Sequence, residues 1–439
     1  MIFMASTIRL GLFCHMIVFV VHRSIFILMI QFLTSGLLCG NFLIILLLTS
    51  MKRIPRLTGT IVITLGVLVF LFTKCEKEDP IINLNSPYFT ITDQAFFYAL
   101  LRFGVDTNGD SLISNPEAEA VSVLHFNETH LQNNGDLITN MTGIEAFVHL
   151  VELDCGNTYG TEVTNLSSLD VSKNTSLAYL NCNHGKLRQL DVSNNTALVS
   201  LKCANNYIQA LDISNCAELI RLECWNNGLN ELDISNNTSL RELLCVENRI
   251  SNLDISNNAN LSELLCSSNR LTSLDAKNNP VLVKIWVSGN NLSRLDVSQN
   301  SKLEILFCGH NLLSSLDVSN NTSLKDLSCD FNQLYTLDVS NNTELKSLNC
   351  RGNQLTDLDV SNNTELRSLW CGEHNQLVAL NISNNTKIGL DHEDTALDIS
   401  YMPTLTEVCV WTMPFPPEGI EINVWDSPNI TFTTECSAK

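Results

Sequence analysis

"LDVSNNTSLKDLSCDFNQLYTLDVSNNTELKSLNCRGNQL" occupies residues 316–355 and says nearly the same thing twice, 21 residues apart. The period runs on in both directions. Asp170, Asp191, Asp212, Asp233, Asp254, Asp275, Asp296, Asp317, Asp338 and Asp359 keep the spacing of 21 without a slip, and Asn381 follows at 22 after an insertion in CGEHNQL. A fixed period of this length marks a solenoid, in which each unit buries its apolar face only against its neighbours.

The unit reads LxxLxCxxNxLxxLDVSNNTx. Its L-x-C segment predicts a short strand, and successive copies pair in parallel at about 4.8 Å. Eleven copies, from Leu153-Asp154-Cys155 to Leu369-Trp370-Cys371, predict a sheet roughly 50 Å long. Leu177, Leu180, Cys182, Leu187, Leu190 and Val192 point inward in one turn, as do their equivalents elsewhere. About ten residues return the chain to the next strand, too few for a full helix, so the LDVS side is expected to be extended or turn-like. Asn206, Asn227, Asn248, Asn269, Asn290, Asn311, Asn332 and Asn353 recur three places after the Cys position, with Gly185 in an early turn. They predict a ladder of amides bonded to buried backbone groups. The SNN stretch supplies turn-tolerant residues, and the Asp row supplies acceptors for turn amides.

The first half of the unit matches the leucine-rich repeat, LxxLxLxxN/CxL. Over residues 150–395 the chain resembles bacterial cell-surface members of that family such as the internalins, and its "LDVSNNT…LxC" phrasing is similar to repeats in Gram-negative surface lipoproteins. The resemblance implies a leucine-rich-repeat solenoid with a parallel sheet on its concave face and a cap at each end. Residues 90–149 are assigned to a helical N-terminal cap and residues 396–439 to a strand-rich C-terminal one.

Cysteine fits the same picture. Cys182, Cys203, Cys224, Cys245, Cys266, Cys308, Cys329, Cys350 and Cys371 fill a core position that Val287 fills once. A residue that swaps with Val acts as a small hydrophobe, so free buried thiols are expected. Cys409 and Cys436 are the pair in the tail suspected of bridging. The Asn-x-Thr triplets, such as Asn194-Asn195-Thr196, match glycosylation sequons but are read as turn chemistry.

The residue between Leu and Cys is expected to face outward from the concave sheet. This row runs Asp154, Asn181, Lys202, Glu223, Leu244, Leu265, Trp286, Phe307, Ser328, Asn349 and Trp370. It is apolar through four consecutive turns, with Trp225, Val246 and Ile305 beside them. Stacked exposed apolar side chains mark interaction sites, and central aromatics suit hot spots. The candidate binding residues are therefore Trp225, Leu244, Val246, Leu265, Trp286, Ile305, Phe307 and Trp370. The bland alternative is that β-favouring side chains merely occupy a sheet surface.

Upstream, ITDQAFFYALLRFGV (91–105) has helical periodicity with Asp93 near its start, and PEAEAVSVL (116–124) predicts a second helix begun by Pro116. Between them, DTNGDSLISNPE (106–117) resembles the EF-hand calcium loop. That resemblance assigns a structural Ca2+ ion to Asp106, Asn108, Asp110, the Leu112 carbonyl, Ser114 through a water, and Glu117 with both oxygens. Ser111 stands where the sharp turn asks for Gly, at a cost in strain.

The N-terminus carries the hydrophobicity. Residues 1–74 hold six Lys and Arg and no Asp or Glu, leaving a net charge of −26 over residues 75–439. Met51 with Lys52, Arg53 and Arg56 forms a basic n-region, and residues 61–72 an apolar stretch too short to span a bilayer comfortably. Cys75 and the run Glu76-Lys77-Glu78-Asp79 follow. Residues 51–74 thus resemble a lipoprotein signal, with Lys74 as the departure from the usual small residue. The resemblance implies lipidation at Cys75, a tether over 75–89 and display on the outer membrane of a Gram-negative cell. The apolar segment 1–50 is either a gene-model artefact ahead of a true start at Met51 or a set of membrane segments.

The acidic balance excludes a nucleic-acid partner, whose phosphates demand Lys and Arg. No H-E-x-x-H, G-x-S-x-G or P-loop pattern occurs, and His184, His310, His374 and His392 are scattered. The sequence is read as a non-enzymatic surface protein that binds a protein partner in adhesion or host interaction. Capture of a glycan for nutrient uptake and a purely structural role are the alternatives.

Overall fold

The structure, a computed structural model, describes residues 88–126, 137–157, 164–390 and 395–436. The apolar segment 1–50, the signal-type segment 51–74, Cys75 and the tether up to residue 87 lie outside them. Among the described residues no helix is long and apolar enough to cross a membrane.

The repeat becomes a stack of three-residue strands. Strand β1 (Val123–His125) leads to β2 (Glu152–Asp154) and β3 (Tyr179–Asn181), and then one strand begins every 21 residues as far as β12 (Ser368–Trp370). All pair in parallel with equivalent positions opposed, as in Leu264 to Ile285 to Leu306. Each strand begins one residue earlier than the L-x-C spacing predicts. The Cys still donates across the ladder (Cys266 N to Trp286 O, 2.7 Å), but it lies where the chain starts to turn out of the sheet.

Two residues beyond the Cys position the backbone becomes left-handed. His184, Asn205, Asn226, Glu247, Ser268, Gly289, His310, Phe331, Gly352 and Glu373 have φ between 49° and 66°. Gly is the residue suited to this conformation, and the others hold it because the stack on either side over-determines it. The expected Asn ladder secures the bend. Asn269 donates to the carbonyls of Cys245, Cys266 and Ser267 and accepts from Ile250 N. In the early turn Gly185 leaves the space that Asn206 fills from the next turn: a Cβ there would lie 2.7 Å from its Oδ1.

The SNN stretch does more than turn the chain. Its second Asn is fully buried in Asn174, Asn195, Asn237, Asn258, Asn279, Asn300, Asn321, Asn342, Asn363 and Asn385. Asn258 donates to Ile234 O (3.1 Å) and Asn237 O (2.9 Å) of the preceding turn. Cys216 takes this place once and faces the same two carbonyls at 3.8 Å. The first Asn stays exposed, as Asn257 does while donating to Ser235 O at 3.3 Å. The Asp row accepts turn amides as expected, for example Ser235 N to Asp233 at 2.9 Å. The Ser235 hydroxyl and amide hold the Asp233 carboxyl below its usual range.

Helix α1 (Gln94–Arg102) opens on Asp93, which accepts from Phe96 N and from Thr139 and Asn140 across the cap. Helix α2 (Asn115–Glu119) is shorter than PEAEAVSVL predicts. Its β-branched tail becomes β1 instead, because pairing with β2 outweighs helical propensity. The main sheet therefore starts inside the N-terminal cap. At the other end, β14 (Leu397–Asp398) and β16 (Ile422–Asn423) extend the main sheet. On the LDVS side, β13 (Ala379–Asn381), β15 (Glu407–Cys409) and β17 (Thr431–Thr433) form a second, three-stranded sheet. A disulfide joins Cys409 to Cys436 with Cα atoms 5.3 Å apart. The repeat cysteines are buried free thiols, and the inward Leu and Val positions form one continuous core.

Candidate functional site

On β6 to β9 the residues after the buried Leu or Ile are register partners: Leu244, Leu265, Trp286 and Phe307. The indole of Trp286 and the ring of Phe307 stack, with centroids 5.3 Å apart and planes 19° apart. Leu265 faces outward with the row but is only 9% exposed, covered by its neighbours Leu244 and Trp286 rather than by the core. Ile305 sits at the first position of β9, between Lys284 and Asp326 on the neighbouring strands. Trp225 and Val246 lie one place beyond the Cys on adjacent turns, and Trp225 meets His184 edge-on at 5.7 Å.

Trp370 stands apart. Ser328 and Asn349 separate it from Phe307, and its Nε1 donates to Thr395 O at 2.8 Å. Equal spacing along the sequence could not reveal that its indole is tied to the C-terminal cap.

Towards the N-terminal turns the same face is charged. Glu223, itself buried, meets Arg221 at 2.6 Å and Lys202 at 3.4 Å, and Arg221 also pairs with Glu242. Glu263 holds Lys284 at 3.2 Å, and that ammonium lies 5.9 Å from the Trp286 ring centroid. Apart from Arg221 with Glu223, which share a strand, these are cross-strand pairs, set by which residues the period places opposite one another. The outward row alone disclosed only Lys202 with Glu223, because Arg221, Glu242, Glu263 and Lys284 occupy the first strand position. Also undisclosed was the strip one place past the Cys, where Ser267, Ser288 and Gly309 are small on three turns running and Asp330 follows on the fourth.

The loop at 106–117 adopts the turn its spacing asks for. Asp106 accepts from Gly109 N (2.7 Å) and Ser111 N (2.9 Å), Asn108 from Asp110 N, and Asp110 from Leu112 N. Ser111 takes φ 63°, the strained conformation expected at the Gly place. Ser114 caps α2 rather than facing the loop, and Leu112 is exposed. Glu117 accepts from the amides of Thr107, Asn108 and Ser114 and from the hydroxyls of Thr107 and Ser114. The Ser114 amide and hydroxyl, followed by Thr107, lower its carboxyl to about 2. Both Glu117 oxygens are thus taken up by the loop's own donors. Among the described residues no three His, Cys, Asp or Glu side chains converge to hold a metal ion. In this arrangement the loop is closed by hydrogen bonds, and a cation could use Glu117 only by displacing them.

No protein-family model and no curated protein matches the chain. Solved structures do. The functional domain of InlJ from Listeria monocytogenes, which includes a cysteine ladder, is 31% identical at a TM-score of 0.54, over 68% of this chain and 70% of that one. An internalin, InlF, from a Listeria monocytogenes strain is 19% identical at a TM-score of 0.59, over 79% and 96%. The leucine-rich-repeat ectodomain of the Arabidopsis thaliana receptor kinase GASSHO1/SCHENGEN3 is 16% identical at a TM-score of 0.56, over 73% and 43%. The last two share the fold alone. The first, at 31% identity over 70% of its length, shows the family, and the chain belongs with it to the internalin-type leucine-rich-repeat proteins.

Proposed function

We propose that this chain is a non-enzymatic surface protein that recognises a protein partner through the concave sheet face, in adhesion or host interaction. The observation that carries this is the apolar row in register over four turns, bordered by paired charges: an aromatic centre with a polar rim is the anatomy of a binding hot spot. The stacking of Trp286 on Phe307 favours a protein over a glycan, because each ring covers a face of the other that a sugar would otherwise use. The Arabidopsis ectodomain of the same fold is described in complex with Casparian strip integrity factor 2. A screen of surface and secreted proteins against the immobilised chain, repeated with Trp286→Ala combined with Phe307→Ala, tests the proposal. The double variant is expected to bind its partner at least ~100-fold more weakly; a variant that keeps every partner refutes it.

Surface display rests on the basic n-region, the short apolar stretch and Cys75. In that reading Cys75→Ser moves the protein from the membrane fraction to the soluble one, and an unchanged distribution rejects it. The loop at 106–117 is proposed to take Ca2+ on the strength of its ligand spacing and the left-handed Ser111. Millimolar Ca2+ should then raise Tm by several degrees, and Glu117→Gln should abolish the increment. A Tm indifferent to Ca2+ leaves the loop as a hydrogen-bonded turn only.

A further inference from the structure

We propose that Asp330 is a cation subsite of the concave face, receiving a Lys or Arg side chain from an extended segment of the partner while an apolar neighbour in that segment rests on Trp286 and Phe307. This rests on the protein-recognition reading above and adds the chemistry of the residue recognised.

Asp330 is 7% exposed, although it lies at the edge of an open sheet face. Its partners are the Ser328 hydroxyl, which donates to Oδ1 at 2.6 Å, and His310, whose Nε2 lies 3.4 Å from Oδ2. Among the described residues no Lys or Arg reaches it within ion-pair distance. Arg351 on the following turn is held elsewhere, its guanidinium 5.4 Å from the Phe331 ring centroid and its Nη1 3.5 Å from Glu373. A carboxylate so far out of water is ordinarily matched by a charged partner. Glu223, as deeply buried on the same face, has Arg221 and Lys202. Among the described residues Asp330 has only the exposed imidazole of His310 beside it.

The surrounding turns are shaped to hold it. Gly309 occupies the equivalent place one turn earlier, where any Cβ would collide with the Asp330 carboxylate. Phe331, the next residue, has φ 49°, a conformation that is an outlier for a bulky side chain. Its ring is clamped by His310, stacked at 4.6 Å and 20°, and it fills the space over Gly352.

The subsite adjoins the apolar row. Ser328 is the register partner of Phe307, and Asp330 lies two residues beyond Ser328, so one strand spacing and two residues of rise place it roughly 8 Å from Phe307 in backbone terms. An extended chain advances about 3.3 Å per residue, so the cation and its apolar neighbour fall about two or three residues apart. An ammonium or guanidinium there would make a charge-assisted hydrogen bond in a partly dry setting.

A displayed library of random peptides, selected in parallel on the intact protein, on Asp330→Asn and on the Trp286→Ala, Phe307→Ala double variant, tests this. The intact protein is expected to enrich peptides with Lys or Arg about two or three places from a large apolar residue. Individual peptides should bind Asp330→Asn at least ~10-fold more weakly and the double variant not measurably. Replacing the basic residue by norleucine should cost the same factor on the intact protein, which keeps the test decisive if Asp330→Asn folds poorly. Apolar peptides without enriched Lys or Arg, or equal affinity for Asp330→Asn, overturn the cation subsite and leave the concave face standing. Peptides indifferent to the double variant, or no binder at all, overturn both.

Discussion

Replacing Asn269 with Ala is expected to destabilise the fold by about 2–4 kcal/mol, since it removes four hydrogen bonds to the backbone, each worth about 1 kcal/mol or less, and strands one buried amide at a cost of about 1–3 kcal/mol. The carbonyls of Cys245, Cys266 and Ser267 lose one donor each but keep Asn248, Asn290 and the Glu247 amide, whereas the amide of Ile250 loses its acceptor. They sit in the middle of the stack, where both neighbouring turns lean on the bend. The comparison that gives this force is the Asn pair in the preceding SNN stretch. Asn258→Ala removes two bonds from a fully buried ladder and should cost about 1–3 kcal/mol. Asn257→Ala removes one exposed bond and should fall within about 0.5 kcal/mol of the parent. Urea unfolding of the three variants provides the ranking. An Asn269→Ala midpoint no lower than that of Asn257→Ala would show that the ladder is decorative.

The second large effect concerns the thiols. Burial pushes Cys203, Cys245, Cys308 and Cys350 up to about 12 from a usual value near 9.0. The attacking species is the thiolate, so its fraction falls by about a thousandfold before steric protection is counted. The folded chain should therefore label at none of its repeat cysteines with an aromatic disulfide reagent at neutral pH, and the urea-unfolded chain should label at all of them. Site-resolved mass spectrometry distinguishes the repeat cysteines from Cys409 and Cys436, which are paired. Rapid labelling of Cys266 in the folded state would contradict the picture of the cysteines as core side chains.

Much of the loop and cap was legible from local sequence, and its errors are instructive. Asp93 was placed at a helix start, and the Ser111 strain was foreseen, because capping and turn chemistry act over a few residues. The second helix was overextended because the end of its stretch, Val123 and Leu124, is chosen as a strand by β2, almost thirty residues away. Spacing places Glu117 at the twelfth position of the loop, and the structure adds that its oxygens accept from Thr107, Asn108 and Ser114. Spacing says which groups can meet; only the packed loop says which hydrogen bonds win.

The sequence by itself determined the architecture: the period of 21, the parallel stack, the Leu and Cys core, the first Asn ladder and the apolar stretch from Leu244 to Phe307. This was possible because a solenoid turn contacts only its neighbours, so one repeated pattern encodes one repeated environment. The tertiary structure alone decided which Asn of each SNN pair is buried, that Leu265 is covered by its row neighbours while the Trp370 indole is tied to Thr395, and that Asp330 sits nine-tenths buried with no Lys or Arg beside it among the described residues. Each of these depends on the side chains one turn above and below, about 21 residues away on either side, where size and charge vary even though the period does not.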